Sequence, residues 1–168
     1  PFVGKRIVTA LILLPWIIPT VFSTLAWWWM LDPANSVVNV LLKRWGLITN
    51  SLPFLVDATW AMGSLIFLNV WRGVPFFAIT FLAAIQTVSE ELIEAAKMDG
   101  ANAWQRFWRI IFPLIVPVVI IVVLISTIGT LSDFELPYLL TQGGPRDATL
   151  VFGLLSYNYA LSIGQIGM

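Results

Sequence analysis

Glu94 stands beside Ala95 and Ala96, with Lys97 and Asp99 leading to Gly100 and with Arg106 and Arg109 beyond it. A carboxylate next to two methyl-sized side chains is a poor catalyst and a good socket. Small residues let another surface approach closely, and the carboxylate can then hold an arginine of that surface through charge-assisted hydrogen bonds. The chemistry on offer is docking. Ser89 reads as an N-cap, and Glu90 and Glu91 occupy the first turn, where the helix dipole favours negative charge. Glu94, Ala95, Ala96 and Lys97 are strong helix formers, and Asp99-Gly100 ends the helix because glycine enters the left-handed conformation without steric cost. A second helix follows, in which Trp104, Phe107, Trp108 and Ile111 recur at i, i+3, i+4 and i+7 and form one apolar face. Ser89 to Pro113 is therefore expected to be a helix-turn-helix presenting a compact knob, held between two uncharged apolar segments.

Other chemistry is scarce. The 168 residues include no histidine and no cysteine, which removes disulfides, thiolate chemistry, most zinc sites and any histidine-based acid-base mechanism. No GxxxxGK[ST] loop occurs, so nucleotide binding through a phosphate loop is not expected. The acidic residues are too scattered for a hydrolytic carboxylate pair, and neither a catalytic residue nor a metal ligand set is expected. Hydrophobic residues make up 59% of the chain, charged residues 11%, and the mean hydropathy is +0.90. Soluble domains run near a quarter charged, so the composition is that of a membrane protein. A net charge of zero gives no support to nucleic-acid binding.

The elements that must hold the knob follow from the charge-free runs. Ile7 to Leu31 is long enough to cross the hydrocarbon, for which about 20 residues suffice. It is expected to be one transmembrane helix kinked at Pro15 and Pro19 and anchored at the far interface by Trp27, Trp28 and Trp29. Asp32 to Asp57 is a connection carrying a short helix, Val37 to Trp45, capped by Ser36 and ended by Gly46. Lys43 and Arg44 on it read as solvated or headgroup-facing charges. Ala58 to Val88 is a second span, interrupted at Trp71-Arg72-Gly73-Val74-Pro75. Arg72 thereby falls deep in the membrane, where charge is expensive; it either meets a polar solute or gating partner, or braces the break. Ile110 to Ser132 is a third span, with Pro113 and Pro117 near its start. Asp133 to Ala148 is a second outer connection with a Gly143-Gly144-Pro145 turn. Thr149 to Met168 is apolar but mottled by Ser156, Tyr157, Asn158, Tyr159, Ser162 and Gln165, a pattern that suits either the wall of a polar pathway or helix-to-helix packing. The whole reads as one all-α, polytopic transmembrane helical bundle, residues 1–168. Placing the N-terminus and Ser89–Arg109 inside puts Lys5, Arg6, Lys97, Arg106 and Arg109 in the cytoplasm against Lys43, Arg44 and Arg146 outside, in the direction the positive-inside rule requires.

Glu94-Ala95-Ala96, three residues, Gly100, nine residues and then Ile110-x-Phe112-Pro113 resembles the EAA loop of binding-protein-dependent ABC importer permeases, which usually carry leucine in place of Phe112. Asp99-Gly100-Ala101 and Thr141-Gln142-Gly143-Gly144-Pro145 resemble the carbohydrate-type branch, that of maltose and glycerol-3-phosphate permeases. The resemblance implies a permease domain with a cytoplasmic EAA coupling helix-turn-helix in a bacterial or archaeal plasma membrane. It also implies that the chain is a fragment, with further chain upstream and downstream. It implies an ABC ATPase dimer docked on Glu94, Ala95, Ala96, Asp99, Gly100 and Ala101, with Glu94 pairing a basic residue, the alanines allowing close seating, Gly100 setting the turn and Asp99 bracing it. ATP is then used by that partner, and the chain itself holds no cofactor. A second permease subunit, most simply a heterodimer, and an extracytoplasmic solute-binding protein complete the assembly. Asn69, Arg72, Tyr157 and Asn158 are candidate contacts for a sugar-like solute. Within the same class the solute is alternatively glycerol-3-phosphate, with Arg72 as phosphate partner. A secondary transporter or channel is a different class, and would call for carboxylates embedded in the spans.

Overall fold

The structure, a computed structural model, describes residues 4–162, and all its regular structure is helical. The side chains of Lys5 and Ser162 lie outside the described part, as does the end of the last apolar segment, including Gln165. The chain forms two compact units, one from residues 1–73 and 129–168 and the other from Val74–Ile128.

In the first unit, α1 (Lys5–Ile17) and α2 (Thr20–Met30) divide the first apolar segment, and their axes are bent by 99°. The expected kinked rod is thus corrected to two helices at a right angle. Pro15 is absorbed inside α1. The break falls at Pro19 because Ile18 is extended (φ −80°, ψ 124°), as a residue preceding proline is driven to be. Trp27 corrects another expectation, since it packs edge-on to Phe67 and Trp71 with ring centroids 5.3 and 5.6 Å away. Only Trp28 and Trp29 of the tryptophan trio stand exposed.

Beyond α2, the Asp32 carboxylate accepts from the Ala34 and Asn35 amides at 2.8 and 3.0 Å and turns the chain. The Ser36 hydroxyl donates to the Met30 carbonyl and accepts from the Asn39 amide, so one side chain closes α2 and opens α3 (Val37–Arg44). Gly46, at φ +72°, ends α3 in the left-handed conformation, with Gly46 and Leu47 amides donating to the Lys43 and Leu42 carbonyls. The buried Asn39 amide makes two bonds to the Leu52 backbone, at 2.8 and 3.0 Å, and pins the following loop to α3. Asp57 caps α4 (Ala58–Gln86) by accepting from Thr59 and Trp60.

The α4 helix runs 29 residues without interruption, about 43 Å at 1.5 Å per residue. The expected break at Trp71–Pro75 is absent. Proline in a helix removes one hydrogen bond and crowds one carbonyl, and Pro75 is buried, so packing holds the helix through it. The core of the first unit is Leu31 at the C-terminal cap of α2, Leu65 and Leu68 of α4, and Leu136 and Leu140 of α8 (Glu135–Leu140). The α8 helix lies inside the stretch expected to be a plain outer connection, and it buries Leu136, Pro137 and Leu140. Thr149 is buried in the loop that follows, and the last helix, α9 (Phe152–Tyr157), starts only at Phe152 before widening into a π-helical turn, Asn158–Ser162.

The second unit contains the end of α4, α5 (Glu90–Met98) and one continuous helix, Ala103–Ser132, made of α6 (Ala103–Arg106), a π-helical turn (Phe107–Ile111) and α7 (Phe112–Ser132), whose last four residues belong to the first unit. The second helix of the expected hairpin and the third span are therefore one element, and Pro113 and Pro117 lie in its interior. The Phe112 amide reaches back to the Phe107 carbonyl. A proline ring crowds the carbonyl four residues back, here that of Arg109, which lies within the widened turn. Ala84, Val88 and Ile115 form this unit's core, with Ile93, Ile111, Val118 and Val119 packed on it. Ile120, Ile121, Leu124, Ile125 and Ile128 of α7 stand more than half exposed. An apolar surface of that extent marks contact with lipid or another subunit, and α4 and Ala103–Ser132 are both long and apolar enough to cross a membrane.

Gly153 is the tightest approach in the first unit, where a Cβ would meet the Asp133 carbonyl oxygen at 2.6 Å. Gly153→Ala is expected to cost about 1–3 kcal/mol through overpacking, read as a lower melting temperature in detergent. Gly129→Ala, with nothing within 4 Å of the added methyl, should leave the melt unchanged or raise it.

Candidate functional site

The knob is built from α5, a tight turn and α6. Ile93 packs into the core of its unit and Ala96 is buried, while Glu94, Ala95 and Met98 face outward, Met98 with 89% exposure. The two alanines expected to share one role are split: Ala95 is available to a partner, and Ala96 seats α5 on its own chain. Asp99, Gly100 and Lys97 are exposed, and Ala101 is half-buried. Gly100 sits at φ +80°, and the amides of Gly100 and Ala101 donate to the Lys97 and Ala96 carbonyls at 3.0 Å each. This is the paired closure that a left-handed residue allows at a helix C-terminus.

Ser89 occupies the N-cap position of α5, yet its hydroxyl makes no cap bond. Asp99 closes the helix through its backbone, and its carboxylate makes no hydrogen bond among the described residues, so it does not brace the turn. The brace is Arg106, whose guanidinium donates to the Ala101 carbonyl. Asn102 and Gln105 add a reciprocal capping box, each side chain accepting from the other's amide at 2.9 Å. That pairing was legible as Asn-x-x-Gln ahead of an apolar run, whereas the arginine clip has no local signature. Glu94 makes no ion pair among the described residues, where Arg72–Asp133 is the single one. Leu92 and Trp104 add exposed apolar surface, at 49% and 72%. An unpaired carboxylate, a methyl-sized neighbour and an adaptable thioether can together accept a basic, partly apolar groove.

The polar residues of the spans gather elsewhere, in the first unit. Arg72 donates to the Thr20 hydroxyl at 2.8 Å and to one Asp133 oxygen at 3.4 Å. The other Asp133 oxygen accepts from the Glu135 and Leu136 amides and caps α8. Asn69, one turn before Arg72, donates to Thr130 at 3.3 Å. Tyr157 stacks on Phe134 with centroids 4.7 Å apart and planes 6° from parallel, and Asn158 follows it half-buried. Asn69, Arg72 and Tyr157 thus meet neighbours of their own chain around the Thr130–Phe134 stretch. A cleft of about 270 Å³ in the same unit is lined by Trp28, Asp32, Pro33, Leu55, Leu139, Leu140, Thr141 and Gln142, none of them among the four expected solute contacts. The Thr141–Pro145 turn beside it is organised by buried Thr149, whose hydroxyl reaches Thr141 at 2.6 Å and the Gly144 carbonyl at 2.7 Å. Among the described residues, no group of three or more acidic residues could hold a metal ion.

Residues 1–167 match the profile of a family described as binding-protein-dependent transport system inner membrane component. The trehalose/maltose transport system permease protein MalF of Thermococcus litoralis is 33% identical over 98% of this chain and 55% of its own length. A probable ABC transporter permease protein of Brucella suis is 31% identical over 99% of this chain and 57% of its own. The chain therefore spans a little over half the length of these relatives. Among solved structures, a bacterial alginate ABC transporter in complex with an alginate pentasaccharide-bound periplasmic protein superposes with a TM-score of 0.82 at 30% identity, over 95% of this chain and 55% of that one. A second, of a bacterial ABC transporter importing the acidic polysaccharide alginate, gives 0.83 at 29% identity over 98% and 58%.

The capping box is what rigidifies the knob's second helix. Asn102→Ala should cost about 1 kcal/mol locally, read as roughly fivefold faster hydrogen exchange at the Gln105 amide in the detergent-solubilised protein. Gln105→Ala, which leaves the Asn102 oxygen in place, should give a smaller change there.

Proposed function

The chain belongs to the family of binding-protein-dependent transport system inner membrane components, and from that premise we propose that it is the membrane-spanning permease part of an ATP-driven importer for a sugar or related polyol. A separate ATPase subunit hydrolyses ATP beneath the α5–α6 knob, and an extracytoplasmic solute-binding protein delivers the solute from the other side. The solute crosses by alternating access beside a second permease subunit, most simply a different one. The two compact units serve one permease domain.

The single observation that carries this reading is the knob itself. A free, exposed Glu94 sits on a short helix between α4 and Ala103–Ser132, the two helices long enough to span a membrane. In this reading Glu94 pairs with a basic residue of the ATPase, Ala95 lets the surfaces close, and Met98 fills an apolar groove. Ala96, Gly100 and Ala101 fix the shape of the turn, and the exposed Asp99 carboxylate is left for the partner surface. In this reading the knob faces the cytoplasm, which the lysine and arginine bias of the loops supports. Carbohydrate is favoured by the relatives, whose names include trehalose, maltose, maltodextrin and sulfoquinovosyl glycerol systems. Asn69, Tyr157 and Asn158 offer amide and ring surfaces of the kind that suit sugar hydroxyls and faces. Glycerol-3-phosphate is the weaker choice, because Arg72 is already neutralised by Asp133.

Reversing the charge of Glu94 tests the proposal. An interfacial charge facing its like costs at least about 2 kcal/mol, so Glu94→Arg should lower co-purification of the ATPase about 30-fold or more, with solute uptake lost and the permease still folded. Wild-type ATPase recovery in Glu94→Arg, together with uptake driven by an ion gradient without ATP, would remove the importer reading.

A further inference from the structure

We propose that Arg72 is a positioning residue of the transport cycle: forked between Thr20 and Asp133, it sets the bend of the broken first span and ties that bend to the two helices that leave the unit. Arg72 stands at the middle of α4, where an unpaired charge is too expensive to keep. Its two acceptors come from elements distant in sequence. Thr20 is the first residue of α2, immediately after the break. The break frees α2 from the direction of α1, because Pro19 has no amide to continue the ladder, so the 99° angle must be held by tertiary contacts. The Arg72–Thr20 bond, at 2.8 Å, acts at the hinge itself.

Asp133 makes the fork a junction. One of its oxygens caps α8, the helix packed against α2, and the other takes Arg72. Its carbonyl lies under Gly153 of α9, with no room for a methyl group between. The chain passes out of this unit between Gly73 and Val74 and returns between Ile128 and Gly129. Arg72 and Asp133 sit just inside those two points, and the Asn69–Thr130 bond joins the same two helices one turn away. A displacement arriving along α4 meets Arg72 one residue inside the unit, and one arriving along α7 passes Thr130 and then reaches Asp133; Thr20 hands either to α2. The pair is 3.4 Å long, longer than the roughly 2.7–2.9 Å of a tight charge-assisted bond, so it can part and re-form as the cycle turns. Arg72 acts through its neighbours and does not contact the solute.

Residues 1–168 contain no cysteine, so labels can be placed at chosen positions of this stretch, with any cysteine elsewhere in the assembly replaced. Spin labels at Leu11→Cys and Trp29→Cys, both exposed positions on the two arms of the bend, report the hinge in the complete importer in lipid vesicles. The proposal rests on the importer reading above, and the two fail differently. Uptake into the same vesicles that needs no ATP removes the importer reading; a wild-type distance that ignores ATP while ATP-driven uptake proceeds, or one that responds to ATP with the same response in Arg72→Gln, overturns the role of Arg72. The expected result is that Arg72→Gln and Asp133→Asn lengthen or broaden the distance by about 5 Å or more, given arms of about 10 and 13 Å, and that the response to ATP disappears while hydrolysis continues. Asp133→Asn keeps an oxygen for the α8 cap, which isolates the charge. Arg72→Lys should restore part of the response. Thr20→Val removes one bond and no charge, and should loosen the bend even if the charge variants assemble poorly; an unchanged distance and response in Thr20→Val overturns the proposal.

Discussion

A peptide group without a hydrogen-bond partner costs several kcal/mol in hydrocarbon, and at the turns of this chain polar side chains take up groups that the helices leave free. Ser36 bridges the end of α2 and the start of α3, Asp57 opens α4, Asn102 opens α6, and Asp133 opens α8. Thr141 and Thr149 do the same for the turn that follows α8. The polar residues of an otherwise oily sequence are spent on the backbone, which explains why so few remain to meet a solute. Glu94 is the exception that matters, an exposed carboxylate without an ion-pair partner among the described residues.

The all-helical class, two of the three expected spans and the outline of the knob were legible because they rest on local rules. Charge-free length marks a span, glycine after an amphipathic run marks a helix end, and Gly46 and Gly100 both adopt the left-handed conformation those rules require. What was not legible is what each proline does. Pro15, Pro19, Pro75, Pro113 and Pro117 all sit in apolar helical sequence, yet only Pro19 separates two helices. The residue type is the same, and the outcome is set by tertiary contacts. Pro75 is buried within a helix that stays whole, whereas the segment after Pro19 is drawn away to share a core with α8.

The aromatic run after Asn102 shows a second limit of periodicity. At a period of 3.6, Trp104, Phe107, Trp108 and Ile111 fall on one face. The π-helical turn at Phe107–Ile111 adds a residue to that period, so Ile111 packs into the core while Trp104 and Trp108 stay exposed, their rings 5.5 Å apart. The face is split by a single widened turn. Likewise α8 escaped notice because six residues containing a proline carry too little pattern to separate from a loop.

Arg72 shows how a residue that invites a solute reading can belong to the scaffold. From the sequence, a lone arginine in an apolar run asks for an anionic partner, and a phosphate is as good a candidate as any. The partner is Asp133, a residue 61 positions later in the chain that follows the next span. No local pattern links the two, because their meeting depends on α4 and α7 lying side by side at that level. Once they meet, Asp133 is already bound to the first turn of α8, so the arginine on α4 is connected to α2 and α8 through two side chains. A charge so placed transmits displacement better than it selects a ligand, since any movement of α4 relative to α7 must either carry Thr20 with it or break the fork.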